Sequence, residues 1–140
     1  MRGGTIDVVA GLRSLVVLAL AGLLVLTAPV AARADDGDDV RVERPCSARS
    51  TVRLRVRTRD EDELRVDLTV RTPRRGAAWS VVVVHERRIA WRGTQRTGSS
   101  SGAFSRRLTL PDWPGRDIVT VRALGPGGEV CRASVSVAGD

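Results

Sequence analysis

Within residues 51–59, apolar residues occupy every second position from Val52 to Val56, and this period of two constrains the fold more than any other feature of the chain. The apolar positions are Val52, Leu54 and Val56, each flanked by arginine or threonine. Successive side chains of a β-strand point to opposite faces, so a period of two indicates a strand with one face buried and the other in water. The segment therefore predicts a half-buried strand whose outer face is rich in arginine.

Residues 64–70 repeat the alternation and predict the partner of this strand. Their apolar residues are Leu64, Val66, Leu68 and Val70. Acidic residues at positions 60–62 connect the two segments. Two alternating segments joined by a short polar connection predict a β-hairpin.

The apolar residues of the hairpin also predict its register. If they face each other directly, Arg55 lies opposite Asp67, and Arg57 lies opposite Arg65. The second pair is destabilising unless the acidic residues of the turn or a bound anion compensate the like charges. We expect the turn acids to compensate them.

Five further segments have the length and composition of strands. They are residues 79–84, 89–91, 104–110, 117–123 and 130–137. Pro, Gly, Ser and acidic clusters separate them, and no segment between them has a convincing helical period. Seven short strands in about 100 residues predict an all-β fold, a seven-stranded immunoglobulin-like or fibronectin-like antiparallel sandwich.

Residues 1–34 predict a signal peptide. Arg2 and Arg13 form a positive n-region before an apolar run over residues 15–26, and Ala32-Arg33-Ala34 has the small-x-small form of a cleavage site. The run is shorter than the stretch of about 20 apolar residues that crosses a membrane. An uncleaved anchor is the alternative, and the leader would then be the chain's contact with the membrane.

Cleavage after Ala34 predicts a secreted, extracellular chain. Residues 35–45 begin with an acidic run, which predicts a flexible N-terminal tail. Residues 46–138 contain the seven predicted strands and form the expected immunoglobulin-like domain. A chain of this length corresponds to one domain.

Export gives the two cysteines an expected role. Cys46 and Cys131 are the only cysteines in the chain, and an even number of cysteines in an oxidising compartment pairs by default. The bridge would close most of the mature chain into one loop and stabilise the fold by about 4.5 kcal/mol. A reactive or metal-binding thiol is the alternative, but such sites usually include His or further Cys ligands.

The charge of the chain is explained most simply by a solvated basic surface, and it also allows an anionic partner. All 23 basic residues are arginine, against 16 acidic residues, and the complete absence of lysine is typical of coding bias in a GC-rich genome. Nucleic acid is not expected as a partner, because the chain is exported and has few aromatic side chains on which bases stack. We expect an extracellular protein or an anionic polymer of the cell envelope.

One arrangement of residues runs through the chain: Cys46, Trp79, His85, the segment 101–104, Asp117 and the segment 129–131. This arrangement resembles that of small secreted actinobacterial proteins with an immunoglobulin-like (fibronectin-like) domain. The resemblance extends over residues 46–137 and implies the fold and a secreted location. Such proteins generally have no assigned activity, so the resemblance implies no reaction.

The candidate partner-binding residues are aromatic and arginine side chains near predicted turns and loops. They are Trp113, Arg74, Arg75, Trp91 and Arg92. Trp113 stands between two prolines, where it either caps the edge of the sandwich or anchors a partner. Trp91 is open to the same two interpretations.

Residues that carry catalytic chemistry are sparse. His85 is the only histidine and follows a strand, so we expect a surface turn residue; a general base and a metal ligand are the alternatives. No Gly-x-Ser-x-Gly motif accompanies the serines at 99–101. The sequence predicts a non-enzymatic binding or structural module of the cell envelope or extracellular space, without cofactor or metal. The alternative is a small secreted enzyme or enzyme inhibitor that acts from an exposed loop.

Overall fold

The computed structural model describes residues 39–60 and 62–138, so the predicted signal peptide and residues 35–38 lie outside the described residues. These ranges contain eight strands and one 3₁₀ turn: β1 (Asp39–Pro45), β2 (Thr51–Asp60), β3 (Glu63–Arg71), β4 (Ala78–His85), β5 (Arg88–Arg96), β6 (Ala103–Pro111), β7 (Arg116–Leu124), η1 (Pro126–Gly128) and β8 (Val130–Ala138). Within the same ranges, no helix has the length and apolar character that a membrane crossing requires.

The strands form two antiparallel four-stranded sheets. Sheet 1 has the order β1-β2-β3-β6, and sheet 2 has the order β5-β4-β7-β8. The inward residues of both sheets contribute to one hydrophobic core. The predicted all-β class is therefore confirmed, and the arrangement is consistent with a β-sandwich.

The predicted count of seven strands was wrong, because β1 adds an eighth. This strand lies within residues 35–45, where the composition predicted a flexible tail. It pairs with β2 from Asp39 opposite Arg57 onward. Val40 and Val42 pack against the core, so the neighbouring strand and the core stabilise a segment that its composition does not identify as a strand.

The hairpin of β2 and β3 has the predicted register. Arg55 lies opposite Asp67, and Arg57 lies opposite Arg65. The inward apolar residues of both strands are buried. Because a slip of one residue would bring the arginines into the core, burial of one face fixes this register.

The core is built from aliphatic residues around one tryptophan. Its members are Val52, Leu54, Val56, Leu64, Val66, Leu68, Val70, Trp79, Val81, Val83, Phe104, Leu110, Val119, Val121, Ala123, Cys131, Ala133, Val135 and Val137. The ring centroids of Trp79 and Phe104 lie 6.3 Å apart. Gly125 lies directly against the Trp79 indole, and a Cβ atom at that position would come within 2.6 Å of the ring.

The predicted disulfide joins Cys46 to Cys131, whose Cα atoms lie 4.3 Å apart. Cys46 directly follows β1, and Cys131 lies in β8 with its side chain in the core. The bridge therefore connects sheet 1 to sheet 2. Beside it, the Ser47 N–H donates to the Val130 carbonyl oxygen at 2.9 Å, which adds a backbone link between the same two segments.

The connections between strands lie at two ends of the sheets. The Trp113 end carries the β2–β3 turn, the β4–β5 turn at residues 86–87 and the β6–β7 loop at residues 112–115. The Arg74 end carries the connections at residues 72–77, 97–102 and 125–129. Loop residues that are far apart in sequence therefore meet at each end.

Candidate functional site

The outer face of sheet 1 carries a dense set of arginines, which we call the arginine face. It consists of Arg41, Arg53, Arg55, Arg57, Arg65 and Arg107 with the acidic residues Asp39, Glu43 and Asp67. These side chains share one face because strand alternation directs their apolar neighbours into the core. Six guanidinium groups against three carboxylates leave the face with a positive formal charge.

Carboxylates hold several of these arginines in place. The ion pairs are Glu43–Arg53, Asp39–Arg55, Asp67–Arg57 and Asp67–Arg107. Asp67 lies in the middle of the face and accepts hydrogen bonds from Arg57 at 2.9 Å and from Arg107 at 2.8 Å. Asp67, on the neighbouring strand β3, therefore compensates the charge of Arg57. The sequence had predicted that the acidic residues of the β2–β3 turn compensate the Arg57–Arg65 pair.

Three pKa shifts reflect the charges of this face. The hydrogen bond from Arg55 lowers the pKa of Asp39. Burial raises the pKa of Asp67, but hydrogen bonds from Arg107 and Arg57 outweigh burial and hold that pKa below its ordinary value. Desolvation lowers the pKa of Arg65, and the positive charge of Arg107 lowers it further. Neither Arg65 nor Arg41 forms an ion pair with a carboxylate of the described residues.

A cleft of about 430 Å³ opens on the arginine face. Its lining includes Arg41, Arg53, Arg55, Arg57, Asp67, Thr69, Ser105 and Arg107. The hydroxyl oxygens of Thr69 and Ser105 lie 2.9 Å apart, so hydroxyl groups border the guanidinium groups. Guanidinium is planar and donates two parallel hydrogen bonds to a carboxylate or phosphate. The cleft therefore has the chemistry of an anion-binding surface.

The outer face of sheet 2 also carries arginines, in a different arrangement. Arg92, Arg122 and Arg132 lie on one row across the sheet, with Val82 between the first two. No carboxylate of the described residues forms an ion pair with any of the three. Their guanidinium groups thus lack the carboxylate partners that orient those of the arginine face.

A buried polar cluster lies at the Trp113 end. His85 is 2% exposed, and its Nε2 atom lies 2.5 Å from Oδ1 of Asp117, which is 1% exposed. The Trp113 ring stacks on the His85 ring with 4.5 Å between centroids. The Trp113 backbone N–H donates to the other carboxylate oxygen of Asp117 at 3.2 Å. One carboxylate therefore holds both the imidazole and the loop that carries the indole.

The prediction of His85 as a surface turn residue was wrong. His85 is the last residue of β4, whose inward positions are Trp79, Val81, Val83 and then His85. Continuing the period of two by one step, from Val83 to His85, identifies this burial from the sequence alone. Asp117 occupies the equivalent inward position near the start of β7.

The five residues predicted to bind a partner are not brought together. Arg74 and Arg75 are exposed at the Arg74 end, and Trp113 lies at the opposite end. Trp91 and Arg92 are neighbours in β5, so they point to opposite faces of the sheet. These residues therefore belong to separate surfaces.

Trp91 lies at the edge between β5 and β6. The Arg106 guanidinium carbon is 4.7 Å from the centre of its ring, in cation–π contact. A Cβ atom at Gly93 would come within 2.7 Å of the indole, so the ring lies closely over the backbone of its own strand. These contacts correspond to the capping interpretation of Trp91.

Among the residues that the structure describes, no group of three or more His, Cys, Asp or Glu side chains is placed to hold a metal ion.

Comparison with protein-family models, with curated proteins and with solved structures finds no match to this chain. The geometry of the arginine face and of the His85 cluster is therefore the basis for inferring function.

Proposed function

We propose that the protein is a secreted, non-enzymatic binding module whose arginine face binds an anionic polymer of the cell envelope or extracellular space. The observation that carries this proposal is the set of arginines around the cleft of about 430 Å³. Arg53, Arg55 and Arg57 repeat along β2 at intervals of about 6.8 Å, so a polymer with repeating charges engages several of them at once. Carboxylates that already orient the guanidinium groups reduce the entropy cost of binding.

Like-charge neighbours on the arginine face support a binding role over a purely structural one. Arg57 lies opposite Arg65, and Arg41 lies opposite Arg55. Like charges directly opposite each other destabilise a sheet. Asp39 and Asp67 compensate one arginine of each pair, whereas Arg41 and Arg65 have no carboxylate partner among the described residues, and a bound anion compensates these two.

The strand order supports a fibronectin-like fold of the immunoglobulin type, as in the small secreted actinobacterial proteins that the sequence resembles. Without β1, the chain has three strands in one sheet and four in the other, the division expected of a seven-stranded sandwich of this type. Trp79 is buried in β4, the first strand of the second sheet. The disulfide fits secretion, because such bonds persist in oxidising compartments.

Calorimetric titration of the purified protein with long-chain polyphosphate, at several salt concentrations, tests the proposal. The informative variant is Arg41→Gln/Arg65→Gln, because neither arginine has an ion-pair partner among the described carboxylates to lose. Its matched control is Arg122→Gln/Arg132→Gln, which removes the same charge from the outer face of sheet 2. Polygalacturonate in place of polyphosphate distinguishes a carboxylate polymer from a phosphate polymer.

We expect polyanion affinity to fall about tenfold in the arginine-face variant, since charge-assisted hydrogen bonds are lost. The control variant should lose about threefold or less, through the change in net charge alone. Equal losses in the two variants would mean that overall charge rather than this face attracts the polymer, and would refute the proposal.

A small secreted enzyme is the second candidate, and the His85–Asp117 pair is the observation that favours it. A carboxylate on one ring nitrogen orients an imidazole for general base catalysis. Among the described residues, Asp117 is the only hydrogen-bond partner of the His85 side chain. Hydrolysis of activated esters that disappears in His85→Gln and Asp117→Asn would support the enzyme. Turnover no faster than in buffer would count against it.

A further inference from the structure

Trp113 stands between two clefts at the Trp113 end. One cleft, of about 300 Å³, has a largely apolar wall that includes Ile89, Leu110 and Pro111. The other, of about 360 Å³, has a largely polar wall that includes Glu86 and Arg116. Arg88 and Trp113 line both clefts, so the apolar cleft and the polar cleft adjoin each other at the Trp113 indole.

His85 and Asp117 hold the Trp113 indole in position. His85 stacks on one face of the Trp113 ring, with an angle of 14° between the ring planes. Asp117 binds both the imidazole and the Trp113 backbone. Trp113 is nevertheless 36% exposed, so the part of the indole away from His85 is open to a ligand and already held in place.

Both signs of charge line the polar cleft beside Trp113, but of these charged side chains only the arginines lack a hydrogen-bond partner among the described residues. Asp117 is engaged by the buried histidine, and a Glu86 carboxylate oxygen accepts a hydrogen bond from a backbone N–H of β7 at 2.5 Å. Arg88 and Arg116 form no ion pair with a carboxylate of the described residues. Two arginines are therefore free to bind an anion at the border of the apolar cleft.

We propose that these clefts bind an apolar carboxylate, with its hydrocarbon group between Ile89, Pro111 and Trp113 and its carboxylate at Arg88 and Arg116. Ile89 is 58% exposed, so a ligand that covers it gains apolar burial. Charge-assisted hydrogen bonds from arginine select the carboxylate. A volume of about 300 Å³ suits a small group, and both a peptide C-terminus with an apolar last residue and a small carboxylic acid have this chemistry.

NMR titration of the ¹⁵N-labelled protein tests the site, with the Trp113 indole N–H as the readout. N-acetyl-leucine is the probe; N-acetyl-leucinamide keeps the apolar group without the charge, and acetate keeps the charge without the apolar group. We expect N-acetyl-leucine to cause a saturable chemical-shift change. N-acetyl-leucinamide and acetate should each bind at least about tenfold more weakly. A further probe is an acetylated tripeptide that ends in leucine. It should bind as tightly as N-acetyl-leucine if the natural ligand is a peptide C-terminus, and more weakly if the site accepts only a small acid. Either result supports recognition of an apolar carboxylate.

The variant Arg88→Gln/Arg116→Gln should lower the affinity for N-acetyl-leucine to that for the amide, and it leaves the Trp113 readout in place. Arg122→Gln/Arg132→Gln is the matched control and should leave the affinity unchanged. Equal binding of the acid and the amide by the unmodified protein would overturn the proposal, as would shifts confined to the arginine face. Since polyphosphate binding is a separate measurement, failure of this site and failure of the arginine face are distinguishable.

Discussion

Replacement of Asp67 by asparagine should weaken the fold and strengthen anion binding at the same time. The side chain forms two partly exposed ion pairs, with Arg57 and Arg107. Such pairs contribute about 0.2–1 kcal/mol each, so the free energy of unfolding should fall by about 1 kcal/mol. A bound anion about 5 Å from this carboxylate is repelled by about 1 kcal/mol in a largely aqueous dielectric. Asparagine keeps one acceptor oxygen, so one of the two guanidinium groups stays oriented, and removal of the charge should raise polyphosphate affinity by up to about fivefold.

Urea unfolding and calorimetric titration of Asp67→Asn measure the two effects separately. Asp62→Asn is the matched control, because Asp62 is exposed at the β2–β3 turn and does not line the cleft. It makes the same change in net charge. Unchanged or lower polyphosphate affinity in Asp67→Asn, or an equal gain in Asp62→Asn, would show that the reasoning about the arginine face is wrong.

The Asp67 effect on stability should also depend on pH in one direction. The pKa of Asp67 is lowered in the folded chain, so the stabilisation from its ionised form is present above the pKa of an unfolded aspartate, about 3.9. It is lost as the pH falls through the lower folded pKa. The difference in unfolding free energy between the unmodified protein and Asp67→Asn should therefore shrink below about pH 4, as measured by urea unfolding across pH.

Three further substitutions test the packing of the fold. Replacing Cys46 and Cys131 together with alanine should lower the free energy of unfolding by about 4.5 kcal/mol, because the long closed loop is released. Urea unfolding without reducing agent measures this, and a loss below about 1 kcal/mol would contradict it. Gly125→Ala should lower the free energy of unfolding by about 1–3 kcal/mol, because its Cβ would lie within 2.6 Å of the Trp79 ring. Thermal unfolding measures this, and an unchanged Tm would contradict the close contact between Gly125 and Trp79. Asp117→Asn should cost about 1–3 kcal/mol in the same assay, because two buried or partly buried hydrogen bonds lose their charged acceptor; an equal or higher Tm would argue against the cluster.

The β2–β3 hairpin could be predicted in detail because burial determines the face of every residue in it. A slip of one residue would expose Val56 and bury Arg57, and burying an unpaired charge costs far more than a local adjustment of the turn. The disulfide could be predicted for a simpler reason. With only Cys46 and Cys131 present, one pairing is available.

The first strand and the contact between His85 and Asp117 depend on more than alternation, which in β1 is limited to Val40 and Val42. In β1 the apolar residues Val40 and Val42 follow an acidic run, and the strand is stabilised by its pairing with β2. Strand preference of this kind depends on neighbours more than on composition. His85 meets Asp117 because β4 pairs with β7, and a period of two predicts which face a residue occupies but not which strands are adjacent.

Strand adjacency also decides which arginines can form a binding surface. The use of arginine in place of lysine does not by itself determine the position of the carboxylates. Asp67 meets Arg107 only because β6 pairs with β3, whereas Arg122 on sheet 2 has no ion pair among the described residues. Solubility requires charge but no fixed orientation, while bidentate recognition of carboxylate or phosphate requires a guanidinium plane that is held in place. Oriented guanidinium groups therefore distinguish the arginine face from a merely solvated basic surface, even though both faces carry arginine.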